Sequence, residues 1–414
     1  MSNRFVLAAL TAFCICSQIC PADEEPALHD AGLNDDYIVN AVCGWAVGDR
    51  GVIWHTEDGG QSWQLQASGT VCNLRSVSFA DEKTGGAAGG QGLPYSPGSR
   101  GLVLGTWDGG QSWQPLSWDQ FPRFHRVQFL NAKSGWAWGE TAEFYPSGVF
   151  SSDNAGRLWH PANGSVGAAW WAGYFTTNES GILAGTGGTT ALVQDRGVRP
   201  VSVGSLGGRT IRCVKISNDG TGWAVADGGV ILRSTSRGAS WGAVTAGMPD
   251  QYQAIFDWRG MHTIAGSVWV VGRPGSVVLQ TSDAGQTWRT SSTGVTAPLE
   301  AIWFHDRQRG WAVGALGTIL ATQDGGRSWQ VQRRGGERAA LLAVHGSPVS
   351  APLLAHVQLG AEQGYLSADL AMVTVRQEWD NFTRSNLESR LSDAVNIAGG
   401  TRAEAEWRFP HSPV

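Results

Sequence analysis

The acids best placed for chemistry in this chain recur in a fixed setting. Asp58, Asp108, Asp283 and Asp324 each follow a threonine by two residues, and each precedes a serine or threonine by four and a tryptophan by five. Glycoside hydrolysis would use two such carboxylates facing each other across the scissile bond, one as acid and one as nucleophile or base. The fixed setting points to another use. An aspartate here accepts hydrogen bonds from amides a few residues on, the following glycines permit left-handed backbone angles, and the hydroxyl caps the same turn. Two further copies carry Asn154 and Ser236 in place of the acid, keeping a short acceptor but no carboxylate. All six are therefore expected to be structural.

Other catalytic patterns are missing. The nine histidines form no His-x-x-x-His or His-x-His pair, and the chain has no Gly-x-Ser-x-Gly elbow and no phosphate loop. Three of the six cysteines fall in the first 22 residues, leaving Cys43, Cys72 and Cys213 without metal-ligand spacing. A Cys43 to Cys72 disulfide and buried free thiols are both compatible with an exported chain. No catalytic residue, metal or cofactor is expected.

Residues 1–22 have the form of an export signal: Arg4, an apolar run from Phe5 to Ile15, then Cys20-Pro21-Ala22. Lipid attachment at Cys16 or Cys20 is the alternative, on a poor acceptor sequence. The mature chain is then periplasmic, lumenal or extracellular. Only 16% of residues are charged and the net charge is -5, which argues against nucleic acid as a partner.

The elements that position these residues are short and repeated. Thr-x-Asp-x-Gly-x-Ser-Trp and its variants close at Trp63, Trp113, Trp159, Trp241, Trp288 and Trp329. The wide gap after Trp159 leaves room for a worn seventh unit, with Ser180 to Gly185 as its second strand, Asp195-Arg196-Gly197 as the turn remnant and Pro200 in the tryptophan position. Each unit runs from an alternating strand, such as Leu74 to Phe79, through Gly44-Trp45-Ala46-Val47-Gly48 or its equivalent, to a third strand, the Asp turn and a fourth strand. Seven four-stranded units predict an all-β, seven-bladed propeller over residues 33–335, since no unit buries its apolar face without neighbours. Eleven tryptophans fall in register and are expected to pack; Trp118, Trp170, Trp171 and Trp258 lie off it.

The turn resembles the Asp-box, or bacterial neuraminidase repeat. With Gly-Trp-Ala-Val-Gly or a close variant at Gly44, Gly135, Gly222 and Gly310, the chain looks like the photosystem II stability/assembly factor family of propellers. That resemblance implies an exported, non-enzymatic protein that binds a protein partner, including a membrane-protein segment, during assembly or maturation. Sialidases also carry Asp-boxes, so a glycan-acting or glycan-binding propeller is the alternative; the Phe-Arg-Ile-Pro segment of sialidases is absent.

Topology separates two faces. The loop entering the innermost strand and the loop between second and third strands emerge together, opposite the Asp turns. At the second position of the innermost strand stand Arg75, His125 and Arg212, with Glu300 breaking a partial positive ring. Two enlarged loops on that face carry Tyr95 and Tyr145 beside prolines, a rigid aromatic surface suited to a protein partner. These five residues are the candidate binding site, with a monomer expected.

After Gly336 the repeat stops, and residues 336–414 read as a strand-helix-strand unit with a further helix. It faintly resembles the opening of LmbE-like N-acetylglucosaminyl deacetylases, but His345-Gly346-Ser347-Pro348 lacks the aspartates that would hold zinc. A truncated second domain, with the propeller as its accessory, is the third reading.

Overall fold

The computed structural model describes residues 28–334, apart from 97, 117–120, 165–166, 202–205, 218 and 248–253. Residues 1–22, expected to be an export signal, the tail expected over 336–414, and Trp118 lie outside the described residues. Within them, 28 strands form seven four-stranded sheets, each a meander of consecutive strands. Blade 1 spans residues 33–66, blade 2 73–115, blade 3 124–161, blade 4 170–201, blade 5 211–243, blade 6 257–292 and blade 7 299–333. The first and last sheets are each built from four consecutive strands, so among the described residues no exchanged strand closes the ring.

The glycines of the Gly-Trp-Ala-Val-Gly strand are required by close approach. Over the first lies the residue that ends the innermost strand: a Cβ on Gly85, Gly181 or Gly310 would fall 2.4 to 2.6 Å from Phe79, Phe175 or Phe304. Against the last lies a backbone carbonyl, with Gly32 O 2.0 Å from the Cβ position of Gly48 and Pro298 O 2.0 Å from that of Gly314. The tryptophan between them faces the next blade. Trp45 stacks on Phe79 at 3.6 Å, Trp136 on Phe175 at 4.2 Å and Trp269 on Phe304 at 3.8 Å. Blade 2 has Gly86 instead, where a Cβ would lie 3.0 Å from Phe129. Trp170 and Trp258 are fully buried at the position that Leu33, Leu74, Phe124, Ile211 and Leu299 fill elsewhere.

Each innermost strand leaves one edge unpaired in its own sheet, and unpaired amides there are costly. Side chains from the preceding blade satisfy several of them. Asp35 accepts from Val77 N at 3.1 Å, Ser76 from Val127 N at 3.2 Å, Ser78 from Phe129 N at 2.9 Å and Gln128 from Phe175 N at 2.9 Å. One inner position breaks the apolar rule. Asp36 stands in register with Val77, Val127, Val214, Met261 and Ile302, buried, with neither carboxylate oxygen partnered. Burial, and secondarily Asp35, raises its pKa well above the usual carboxylate value.

The Asp turns behave as expected. Asp58 accepts from Ser62 N at 2.9 Å and Ser62 Oγ at 2.6 Å, while Thr56 Oγ1 accepts from Gly60 N at 2.8 Å. Hydrogen bonds from Ser62 hold the Asp58 carboxyl down at about 2, so it is an ionised turn acceptor. Asp108, Asp283 and Asp324 repeat the pattern. Asn154 accepts from Leu158 N at 2.9 Å and Ser236 from Ser240 N at 2.8 Å, so the substituted turns also form.

A glutamine three residues past the turn tryptophan clips one blade to the next. Gln66 accepts from Trp113 Nε1 and donates to Gly109 O, at 3.1 and 3.3 Å. Gln332 does the same with Trp63 Nε1 and Gly59 O, both at 3.2 Å, joining blade 7 to blade 1. Ring closure thus reuses an ordinary inter-blade contact. Arg333 adds to it, donating to His29 O and lying 4.0 Å over the Trp54 ring.

Blade 4 departs from the others. Its third and fourth strands, Thr190–Gln194 and Gly197–Val201, join through Asp195 and Arg196 alone, both at positive φ. This is a tight two-residue hairpin turn. Asp195 is a turn residue of a different kind, and Pro200 pairs with Ala191 in the ladder.

Candidate functional site

The innermost strands share one irregularity that aims seven side chains. In every blade the pairing with the second strand skips one residue: Asn34, Arg75, His125, Trp171, Arg212, Arg259 and Glu300. A bulge of this kind re-aims the extra side chain. It also accounts for the close carbonyl over the final glycine of the second strand. The strand alignment places Arg75, His125 and Arg212 correctly in this set. It misses Arg259, because Trp258 disguises the start of the blade 6 strand.

The charges of this ring are mixed. Arg212 makes a two-pronged contact with Asp227, both bonds at 2.9 Å. Arg259 lies 3.8 Å from Asp227 and 3.7 Å from Asp257. Arg273 pairs with Glu300, and Arg123 with Glu140. Arg75 has no carboxylate partner among the described residues, and its Nε is buried and unpaired. Burial, with Arg123 nearby, lowers its pKa below the ordinary guanidinium value. Its guanidinium lies 5.7 Å from the centre of the Trp171 ring, and that of Arg212 lies 4.6 Å from it. Two cations thus flank one half-buried indole.

His125 does not contribute positive charge. Its Nδ1 lies 3.0 Å from Trp170 O, which fixes the proton there, and its ring stacks on Trp171 at 3.9 Å. Burial, then the Arg75 charge, lowers its pKa to about 3. The ring is therefore neutral at physiological pH, and the 3.9 Å approach of Nε2 to Glu140 is not an ion pair. His125 instead supports the indole that the arginines flank.

The enlarged loops sit beside this ring and are tied to each other. Ser99 Oγ donates to Glu140 and accepts from Arg123 N. Tyr95 is fully exposed at the tip of the hairpin made by Gly85–Gly92 and Ser99–Thr106. Tyr145 is placed differently: its ring packs 5.2 Å from both Phe121 and Phe150, and it anchors the second loop. Phe144, one residue earlier, is the ring exposed to solvent, at 76%. With Leu93 it completes an apolar rim that only loop geometry reveals.

The remaining chemistry-bearing groups stay apart. Cys43, Cys72 and Cys213 are free thiols, so the Cys43 to Cys72 disulfide is not formed. Cys43 Sγ lies 3.6 Å from His55 Nε2, but burial pushes its thiol up to about 11. It is a poor nucleophile. Among the described residues no group of three or more His, Cys, Asp or Glu could hold a metal ion.

No family model and no curated protein matches the chain. Solved structures do. YCF48 bound to D1 peptide aligns at 20% identity and a TM-score of 0.56, over 71% of this chain and 92% of that one. YCF48 from Cyanidioschyzon merolae aligns at 19% identity and 0.56, over 71% and 96%. A GH74 xyloglucanase from Xanthomonas campestris aligns at 13% identity and 0.59, over 74% of this chain but 55% of the enzyme. At these identities the likeness is one of fold, and it agrees with the assembly-factor propeller that the repeats resemble.

Proposed function

We propose that this propeller is an exported, non-enzymatic scaffold that binds a protein partner, on the face carrying Arg75, Arg212, Trp171 and the Leu93, Tyr95 and Phe144 rim. The observation that carries this reading is Arg75: a partly buried guanidinium in direct contact with no carboxylate, acted on by Asp49 and Glu140 only at longer range and held beside an indole and a second arginine. A desolvated cation of this sort favours a carboxylate brought by a partner. Exposed aromatic residues on short, tied loops add contact area at little entropic cost. That a YCF48 structure is bound to D1 peptide supports a peptide segment as the ligand class. The assembly or maturation role rests on the family resemblance. Among the described residues no helix is long and apolar enough to cross a membrane.

The Asp turns lend no support to hydrolysis, since each carboxylate is engaged by its own turn. The test is fluorescence polarisation of labelled acidic peptides beside neutral ones of equal length. Saturable binding is expected, weakened about tenfold or more, or 1.4 kcal/mol, by Arg75→Glu with Arg212→Glu. Equal binding by the double variant, or hydrolysis of fluorogenic glycosides by the purified chain, would overturn the proposal.

A further inference from the structure

The Asp turn of one blade seats on the blade before it, and blades 6 and 7 show how. Trp269 Nε1 donates to Gly325 O at 3.0 Å and Gln280 Nε2 to Gly326 O at 3.1 Å, while a Cβ on Gly326 would fall 3.2 Å from the Gln280 amide oxygen. Other blades fill the seat in the same way: a Cβ on Gly60, Gly110 or Gly285 would lie 2.0 to 2.6 Å from Gln332, Gln66 or Trp223 of the blade before. In blade 3 the receiving pair is Trp136 and Ser151, which stand opposite each other as Trp269 and Gln280 do. Blade 4 has only the tight turn of Asp195 and Arg196 to offer, and no turn glycine of that blade lies over the pair.

The seat is instead a cavity of about 350 Å³, with buried Trp136 and Ser151 at its floor and exposed Asp153, Glu179, Asp195 and Arg196 at its rim. That volume is in the range of binding sites, about 300 to 1,000 Å³. Ser151 is 4% exposed, and its Oγ has no hydrogen-bond partner. A buried hydroxyl in that state favours any acceptor brought to it. The turn carbonyl that Trp269 Nε1 meets likewise has no equivalent for Trp136 Nε1. At the rim Arg196 lies 3.9 Å from Asp153 and offsets one carboxylate, while Glu179 and Asp195 form no ion pair among the described residues. Donors at the floor and net negative charge at the mouth make a specific demand. An anion would be repelled by the rim, and a bare ammonium would leave the floor donors unused. The cavity of about 470 Å³ between blades 4 and 5 makes no such demand, because the hydroxyls of Thr177, Ser180 and Ser236 on its walls bond within their own turns.

We infer that the vacant seat docks a glycine-containing turn of a partner protein that carries a basic side chain. Its carbonyls accept from Ser151 Oγ and Trp136 Nε1, as those of Gly326 and Gly325 accept from Gln280 and Trp269, and its cation meets Glu179 and Asp195. Glycine is required because the seat brings the turn backbone against the blade before it, as at Gly285 and Gly326. The cavity shares no lining residue with the channel cavity beneath the arginine ring, so this site is separate from the one proposed above.

The test is fluorescence polarisation of a labelled, disulfide-closed peptide with the sequence of residues 322–329, Thr-Gln-Asp-Gly-Gly-Arg-Ser-Trp, titrated with the full chain beside the same peptide carrying glutamate in place of arginine. Saturable binding of the arginine peptide is expected. It should weaken about tenfold with the glutamate peptide, with Ser151→Val, and with Glu179→Gln plus Asp195→Asn, and stay unchanged in Arg75→Glu with Arg212→Glu. Glu179 and Asp195 are exposed, and asparagine tolerates the positive φ of Asp195, so that variant folds even if Ser151→Val does not. Absence of binding, equal affinity for the glutamate peptide, undiminished binding by either folded seat variant, or loss in the ring variant would overturn the inference.

Discussion

Replacing Asp36 by valine should stabilise this protein, and by more as the pH rises. The position belongs to the inner core: five other blades place Val77, Val127, Val214, Met261 or Ile302 there. Asp36 offers two buried oxygens with no partner, a defect that costs about 1 to 3 kcal/mol even when the carboxyl is neutral. A buried valine adds favourable apolar burial, so a gain of about 2 kcal/mol is expected where both states hold the proton. Charge then enlarges it. The native pKa is raised, by burial first and Asp35 second, so the folded chain keeps a proton that the unfolded chain releases near pH 4. Wild-type stability is therefore undiminished below about pH 4 and falls by up to about 1.4 kcal/mol per pH unit until the native pKa is passed. Valine has no such term. Thermal midpoints of both proteins, followed by near-ultraviolet circular dichroism from about pH 4 to about pH 8, should diverge with rising pH and then run parallel. A wild type more stable than Asp36→Val, or a difference that does not change with pH, would refute the reasoning. Val77→Asp supplies the converse, placing the same defect in blade 2.

Gln332→Ala should lower stability by about 2 kcal/mol, since it removes an acceptor and a donor across the closing interface at about 1 kcal/mol each. Gln66→Ala breaks the equivalent clip between blades 1 and 2 and should cost a similar amount; an unchanged melting midpoint in Gln332→Ala would show that closure lies elsewhere. Cys43 and Cys72 should both alkylate without prior reduction once the chain is unfolded. In the native protein the rate at Cys43 should climb steeply only as the pH nears about 11, and fast reaction at neutral pH would contradict the burial that raises its pKa.

The repeat was legible because local chemistry alone dictates it. A Thr-x-Asp-x-Gly-x-Ser-Trp turn satisfies its own hydrogen bonds, so its residues can be recognised one turn at a time, and six copies with one worn unit determine seven sheets. The glycines at 48, 139, 185 and 314 were visible as a motif, yet their reason was not, because the carbonyls they admit come from a bulge in another strand. Arg75 and Arg212 could be placed at the mouth from strand alignment. Their meeting over Trp171, the neutrality of His125 and the outward turn of Phe144 in place of Tyr145 depend on distances between blades. The same holds for the cavity between blades 4 and 5, whose walls come from two separate sheets. Periodicity and turn chemistry are properties of adjacent residues and survive in sequence. Contacts between blades, desolvation and cavity shape are properties of residues some 40 to 50 positions or more apart in the chain, and only the packing of one blade on the next brings those together.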